Sequence, residues 1–172
     1  MKRAAVLVPL LAGPEESVLL TIRAAHLSSH GGQVSFPGGQ IDAGDESPEA
    51  AALREAWEEI GLDPAQVELL GRLPERATGS GYIVTPVIGR LPAGVAFKPA
   101  PAEVAEIFLL PLTLVRDASA PQRRRMKPVA SAAADAEQAL EEWREIWVWP
   151  HDKHYIWGAT AAILVDLAAW LR

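Results

Sequence analysis

The sequence predicts an α/β fold with a mixed β-sheet, built as a single domain over residues 1–172. Three observations carry that prediction. Short apolar, strand-like runs bounded by Gly and Pro interleave with two strong helical segments, which is the pattern of a sheet covered by helices. One of those segments is amphipathic and the other is apolar on nearly all sides, so one packs by a face and the other is buried. At 172 residues, of which 49% are hydrophobic, the chain is long enough for one sizeable core.

The elements follow in order. Ala5–Leu11 (AVLVPLL) and Ser17–Arg23 (SVLLTIR) are apolar runs separated by Gly13-Pro14, a turn signal, and read as two strands. Met1-Lys2-Arg3 before the first run resembles the start of a secretory signal. Pro9 interrupts it, however, and a polar, strand-like continuation takes the place of a cleavage site, so the run is a buried strand. Ala24–Ser35 turns polar and reads as a loop leading into Val34-Ser35-Phe36. The next element is a helix with clear punctuation. Ser47 caps it, Pro48 opens it where a missing N–H costs little, and Gly61 follows its last residue, where a left-handed cap favours glycine. Ala50, Leu53, Trp57 and Ile60 recur three or four apart and predict the buried stripe, with Glu55, Glu58 and Glu59 on the opposite arc and Arg54 at its edge.

Val67–Leu73 reads as a strand, 77–81 as a loop, and Tyr82–Leu91 as a further strand whose pairing Pro86 and Gly89 limit. Ala102–Leu110 passes from acidic to apolar and ends at Pro111-Leu112. Gln122–Pro128, with Arg123, Arg124, Arg125 and Lys127, reads as a basic loop, and alanine-rich Ala130–Ala139 as either helix or loop. Glu145–Trp149 is strand-like. Ile156–Leu171 is the apolar terminal helix, with Asp166 its one internal charge, buried under the sheet or against another subunit. Five of the six tryptophans lie at or after Trp143, which fits core or dimer packing and, with this helix, predicts a homodimer.

Composition excludes several classes of function. No run approaches the ~20 apolar residues of a membrane span, so no membrane partner is expected. The absence of cysteine removes disulfides, thiolate catalysis and Cys-based zinc sites, and accords with the expected cytoplasmic location. A net charge of −6 argues against a broad nucleic-acid surface, since affinity for a phosphate backbone comes from Lys and Arg contacts. An acidic chain still binds a phosphorylated small molecule through a local basic patch and a metal. His26 and His30 have ligand-like spacing, but they sit in a glycine-flanked loop without soft ligands, so zinc is not expected. His151 and His154 carry no pattern.

The chemistry concentrates between Phe36 and Leu62, FPGGQIDAGDESPEAAALREAWEEIGL. Glu55 and Glu59 lie four apart and Glu55 and Glu58 three apart, so like charges share one side of the helix at a cost of a few tenths of a kcal/mol per pair. Phe36-Pro37-Gly38-Gly39 supplies bare backbone beside them, able to approach a ligand or present carbonyls. Carboxylate, carbonyl and water oxygens suit Mg²⁺ or Mn²⁺. Arg54 either orients the acids or pairs with Asp45 or Glu46 to close the loop onto the helix.

This stretch, GG-x6-E-x7-REAWEEIGL from Gly38 to Leu62, resembles the Nudix box, here residues 39–62, with the small Ala56 at a position usually bulky. The spacer departs from the usual pattern. Glu46 stands one residue too far from Gly39 and Asp45 at the usual distance, so either acid qualifies as the partner of Arg54. The resemblance implies a Nudix-type α/β/α sandwich and a hydrolase acting on a nucleoside diphosphate linked to another moiety. It implies Glu55, Glu58 and Glu59 as metal ligands with the Gly39 carbonyl, and a general base from the box or from a downstream loop. Glu59 is the first candidate base. Glu103 and Glu106 are the second, with solvated acids at a strand entrance as their other reading.

Upstream, Leu19–Gly39 (LLTIRAAHLSSHGGQVSFPGG) resembles the signature of Nudix coenzyme A pyrophosphatases, except that Ser28 stands where that signature has a second arginine. The resemblance continues through Ser80-Gly81-Tyr82, Glu103–Glu106 and Ile156–Ala161. It implies hydrolysis of coenzyme A or a derivative to 3′,5′-ADP and 4′-phosphopantetheine, with Arg23 touching the diphosphate or 3′-phosphate and Gln33 and Ser35 lining the approach. The Ser28 departure keeps ADP-ribose, NADH or a dinucleoside polyphosphate as the alternative substrate. A non-catalytic nucleotide-sensing module is the reading of a different class, and the retention of all three acids speaks against it.

Overall fold

A computed structural model describes residues 1–27, 31–126, 144–149 and 151–172. Ser28, His30, Lys127, Ala130–Ala139 and Trp143 lie outside the described residues. Among the described residues, eight strands form one sheet and three a second. The large sheet is mixed, as expected. β1 (Lys2–Leu11) runs parallel to β7 (Tyr82–Leu91) in unbroken register from Lys2↔Tyr82 to Leu11↔Leu91. On the far side of β7 lie the antiparallel β5 (Glu68–Arg72) and β6 (Arg76–Ala77). β2 (Ser17–Arg23) pairs antiparallel with β8 (Val104–Pro111) along its length.

β1 and β2 meet only at Leu10↔Val18 and Leu11↔Ser17, then diverge. The wedge between them is filled by two short strands, β3 (Val34–Ser35) on β2 and β4 (Gly38–Gln40) on β1. The Leu7 N–H donates to Pro37 O at 2.8 Å and closes the seam. The wedge is what brings Gly38 and Gly39 under a helix.

Alternation along the strands sets two cores. Ala5, Leu7, Leu19, Val87, Leu91 and Val104 face α1 (Pro48–Ile60). Ala4, Val8, Leu10, Val18, Leu20, Val84, Ile88 and Leu110 face the other way, toward α3 (Gly158–Trp170). The result is the α/β/α sandwich.

The structure corrects four expectations. First, the inner face of α1 is Ala51, Ala52, Ala56, Glu59 and Ile60, while Trp57 is 57% exposed and Ala50 and Leu53 are only half-buried. Alanines let the helix backbone lie close to the sheet, whereas weighting by side-chain size favours Leu53 and Trp57. Second, Gln122–Met126 is a strand, β9, antiparallel to β10 (Arg144–Trp149). Arg123 lies over the Trp147 ring at 4.7 Å and 3.3 Å from Glu145, so a partner strand neutralises what reads locally as a solvated basic loop. Third, Gly89 does not limit β7, pairing with Leu69 on β5 and Pro9 on β1, whereas Pro86 does, facing the gap between β5 and β6 where the Leu73 N–H reaches its carbonyl at 3.0 Å. Fourth, the terminal helix begins at Gly158, because Ile156-Trp157 pairs with β10 as β11. A short helix, α2 (Leu112–Arg116), follows β8 and is too brief to show a period in the sequence. No described helix is long and apolar enough to cross a membrane.

Candidate active site

α1 starts and stops where its punctuation requires. Ser47 Oγ accepts the Ala50 N–H at 3.1 Å, and Gly61, at φ 64°, ends the helix with its N–H on Trp57 O at 3.0 Å. The loop after β7 then caps the last carbonyls: the Lys98 N–H reaches Ile60 O at 2.7 Å and the Ala100 N–H reaches Glu59 O at 2.8 Å. Nothing in the spacing of Lys98-Pro99-Ala100 pointed to that role, which depends on a contact between distant segments.

At the wedge, the two glycines are required by closeness. A Cβ on Gly38 would run into the Ala5 carbonyl, and one on Gly39 would fall 2.6 Å from Glu55 Oε1. Glu59 is 7% exposed and accepts a long contact of 3.4 Å from the Gly38 N–H. Burial, and then the charge of Glu55, push its carboxyl up to about 8. Burial also raises Glu55, against the pull of the Arg54 guanidinium. Glu103, at the exposed end of the loop leading into β8, adds its negative field to both. Glu58 is exposed, at the outer edge of the cluster.

The cation of the box is committed elsewhere. Arg54 grips Asp45 in a bidentate pair, Nε to Oδ1 and Nη2 to Oδ2 both at 2.9 Å, and also donates to Gln40 O at 3.2 Å. Asp45 in turn accepts the Asp42 N–H at 2.8 Å, and the Arg54 hydrogen bond holds its carboxyl below the usual range. Asp45 is therefore the acid paired with Arg54, and Glu46 is exposed. The clasp fastens the 40–45 loop to the helix. Gln40 O and Asp42, which complete it, carry no signal in the sequence. The remaining arm, Arg54 Nη1, touches Glu55 Oε1 at 3.0 Å and Glu58 Oε2 at 3.5 Å.

The donor set suits a hard divalent cation, being carboxylates, bare backbone and water-accessible space. Glu55 and Glu59 both have raised carboxyls, from burial first and then from neighbouring negative charge, and a cation would relieve both. Among the described residues no three acids already converge as a closed cage. Ligation by Glu55 and Glu58 requires them to turn from Arg54 Nη1.

Arg23 ends β2 on the α1 face, and its charge acts on Glu59. Its Nε is buried and, among the described residues, has no hydrogen-bond partner, an orphaned donor beside the acids. Gln33 and Ser35 flank this end of β2. Gln33 O accepts the Arg23 N–H at 3.0 Å, and Ser35 O accepts the Thr21 hydroxyl at 3.1 Å. Glu106 is not brought to the cluster. A register shift between Ile22 and Arg23 turns it to the other face of β8, where Oε1 lies 3.9 Å from His154 Nε2.

The family model described as NUDIX domain matches residues 1–152. A protein of Photorhabdus laumondii named Uncharacterized Nudix hydrolase NudL is 40% identical over 167 residues, covering 97% of this chain and 83% of the relative. A protein of the same name from Escherichia coli K12 is 39% identical over 167 residues, covering 97% and 81%. The crystal structure of a Nudix hydrolase from M. smegmatis, RenU, aligns with a TM-score of 0.56 at 30% identity, over 67% of this chain and 74% of that one.

Proposed function

The chain belongs to the Nudix family, and from that premise we propose that it hydrolyses the diphosphate bond of coenzyme A or a derivative, giving 3′,5′-ADP and 4′-phosphopantetheine. The coarser activity, Nudix hydrolysis of a nucleoside diphosphate derivative, follows from family membership. The observation that carries the site is the buried Glu59, crowded by Glu55 and laid against the backbone of Gly38, with Glu55 itself against Gly39.

Nudix hydrolases generally use divalent metal ions. Here Glu55, Glu58, Glu59 and the Gly39 carbonyl would hold Mg²⁺ or Mn²⁺. Such an ion would supply charge to neutralise the diphosphate and to acidify the attacking water. Glu59 is the first choice of general base, being buried and within 3.4 Å of the Gly38 N–H, and Glu103 is the second, at the rim. Arg54 is a positioning residue, holding the 40–45 loop against the helix through Asp45 and Gln40 O. Arg23 offers to a phosphate oxygen a donor that has no partner among the described residues, with Gln33 and Ser35 beside the approach.

The substrate assignment rests on Leu19–Gly39, and Ser28 in place of a second arginine favours one alternative, ADP-ribose, NADH or a dinucleoside polyphosphate. Product analysis of each compound with Mg²⁺ and with Mn²⁺ decides. Coenzyme A is expected to yield 3′,5′-ADP. Intact coenzyme A beside cleaved ADP-ribose transfers the activity to the alternative, and no cleavage of any candidate turns the reading to a nucleotide sensor.

A further inference from the structure

The acids of the site come from two segments far apart in the chain, Glu55 and Glu59 on α1 and Glu103 just before β8. The negative charge of Glu103 acts on both of the others. Glu103 is exposed, and what places it is main chain.

The bonds run through one residue. The Ala100 N–H donates to Glu59 O at 2.8 Å, and the Ala100 carbonyl accepts the N–H groups of Glu103 at 3.0 Å and Val104 at 2.9 Å. Glu103 O then accepts the Ala24 N–H at 2.9 Å, next to Arg23 at the end of β2. An unbroken backbone path, Glu59 to Ala100 to Glu103 to Ala24, therefore joins three residues of the site. Peptide groups are planar and stiff, so such a path transmits position with little slack.

The turn that carries the path is pinned at both ends. Phe97 packs against the core beneath α1, and Val104 is buried in it. The Lys98 N–H holds Ile60 O at 2.7 Å, and Lys98 lies so close to Gly61 that a Cβ on that glycine would fall 3.1 Å from the lysine Cβ. Pro99 and Pro101 flank Ala100 and lock two φ angles at about −65°. Fastened ends, two prolines and a hub bonded through both of its polar groups make a spacer rather than a hinge. Capping of α1 explains the Lys98 bond. It does not explain why the Ala100 carbonyl gathers Glu103 and Val104.

We propose that Ala100 is a positioning residue of the site: its peptide group sets the spacing of the Glu103 carboxylate from Glu59 and, through Glu103 O, fixes the end of β2 that carries Arg23. This rests on the reading of Glu55, Glu59 and Glu103 as parts of one divalent-metal site. The Ala100 methyl has no part in it, so nothing about the side chain marks the residue.

The test is a double-mutant cycle read by calorimetric titration of the full chain with Mn²⁺, in wild type, E103Q, A100P and A100P/E103Q, with a thermal melt of each. Proline removes the Ala100 N–H and keeps the carbonyl. E103Q is expected to weaken Mn²⁺ binding about threefold in wild type, the scale of a nearby, partly screened charge, and to have little effect in the A100P background, where Glu103 is no longer tied to Glu59. A100G keeps the N–H, and in that background the E103Q loss is expected at its wild-type size. P101G keeps the Ala100 bonds and loosens the turn; it stands in for A100P if that variant melts early, and the E103Q loss is expected to shrink in it. An equal E103Q loss in every background overturns the positioning role, as does a loss that vanishes in A100G as fully as in A100P, or no loss in wild type. Wild type that binds no Mn²⁺ overturns the metal-site reading, and this inference with it, before any variant is compared.

Discussion

The two long helices are equal in length, 13 residues each, and lie on opposite faces of one sheet, yet they are built on opposite terms. α3 buries Ile163, Leu164 and Leu167, and its one charge, Asp166, is matched by Arg76 in a bidentate pair at 2.6 and 2.8 Å. α1 buries three alanines, Ile60 and the Glu59 carboxyl, which makes no ion pair among the described residues, and leaves its largest side chain in solvent. One face of the sheet is made to be stable. The other gives up apolar burial so that a helix backbone and its acids can sit against Gly38 and Gly39. A site that crowds like charges is poised for a cation, and the stabilising burden falls on the opposite layer.

Exchanging the character of the two faces tests this. The largest expected effect is on turnover. Glu59→Gln keeps the shape of the side chain and removes its charge, so kcat on the substrate identified in the panel should fall roughly 10²–10⁴-fold, the range of a lost acid–base group. Unchanged turnover removes Glu59 from the role of base. The same variant should be more stable than wild type in chelator. The folded-state carboxyl sits at about 8 against an ordinary 4.5, so the native chain binds its proton more tightly than the unfolded chain. Stability is therefore lost as pH rises from about 4.5 through about 8. Glu59→Gln lacks that loss, and melting in EDTA should show the gap between variant and wild type widening over this window, toward roughly 2–4 kcal/mol. A gap that does not depend on pH would show that the Glu59 carboxyl is not raised in the folded chain.

Next in size is Leu164→Ala. The residue is fully buried in the α3 layer, and the cavity should cost about 2–5 kcal/mol, read as a lower melting temperature and denaturation midpoint. Metal-dependent kcat of the folded fraction should stay near wild type, the reverse of Glu59→Gln. Asp45→Asn lies between the two. It breaks the clasp that fixes the 40–45 loop, and kcat should fall more than about tenfold while the melting temperature moves by only a few degrees. Glu46→Gln, one residue along and exposed, should change neither.

These contrasts follow what the sequence made legible. The caps of α1 were readable because they are local: Ser47, Pro48 and Gly61 each act within one turn. So were β2 and β7, whose observed bounds, Ser17–Arg23 and Tyr82–Leu91, are the expected ones, because apolar runs ending in turn residues encode themselves. The acids of the box and their glycine turn were legible from spacing. Partnership was not. Asp45 and Glu46 are equivalent in sequence, and only the fold of the 40–45 loop, held by the Asp42 N–H, aims Asp45 at Arg54. β9 looked like a loop because its partner strand, which answers Arg123 with Glu145 and Trp147, comes after a long interval. Glu106 looked equivalent to Glu103 until a register shift on β8 turned it to the other face.

The smallest expected effect is the sharpest test of how the two layers differ. A stripe of bulk at three- and four-residue spacing places Trp57 in the core, and if that were right Trp57→Ala would cost about 3–5 kcal/mol. In the structure Trp57 is 57% exposed while Ala56 beside it is fully buried. Trp57→Ala should then lie within about 0.5 kcal/mol of wild type, as surface substitutions do, and Ala56→Leu should cost about 1–3 kcal/mol by overpacking. The second loss has a consequence that mere destabilisation lacks. Pushing the helix off the sheet separates Glu55 and Glu59 from Gly38 and Gly39, so Ala56→Leu should lower kcat even where the protein is fully folded, with Leu164→Ala as the control that destabilises from the opposite face. Denaturant titrations and kcat of the three variants on one substrate read both outcomes. A costly Trp57→Ala beside a harmless Ala56→Leu would return the helix to the orientation that bulk alone predicts, and with it remove the reason for alanine at the position where the family usually carries a bulky residue.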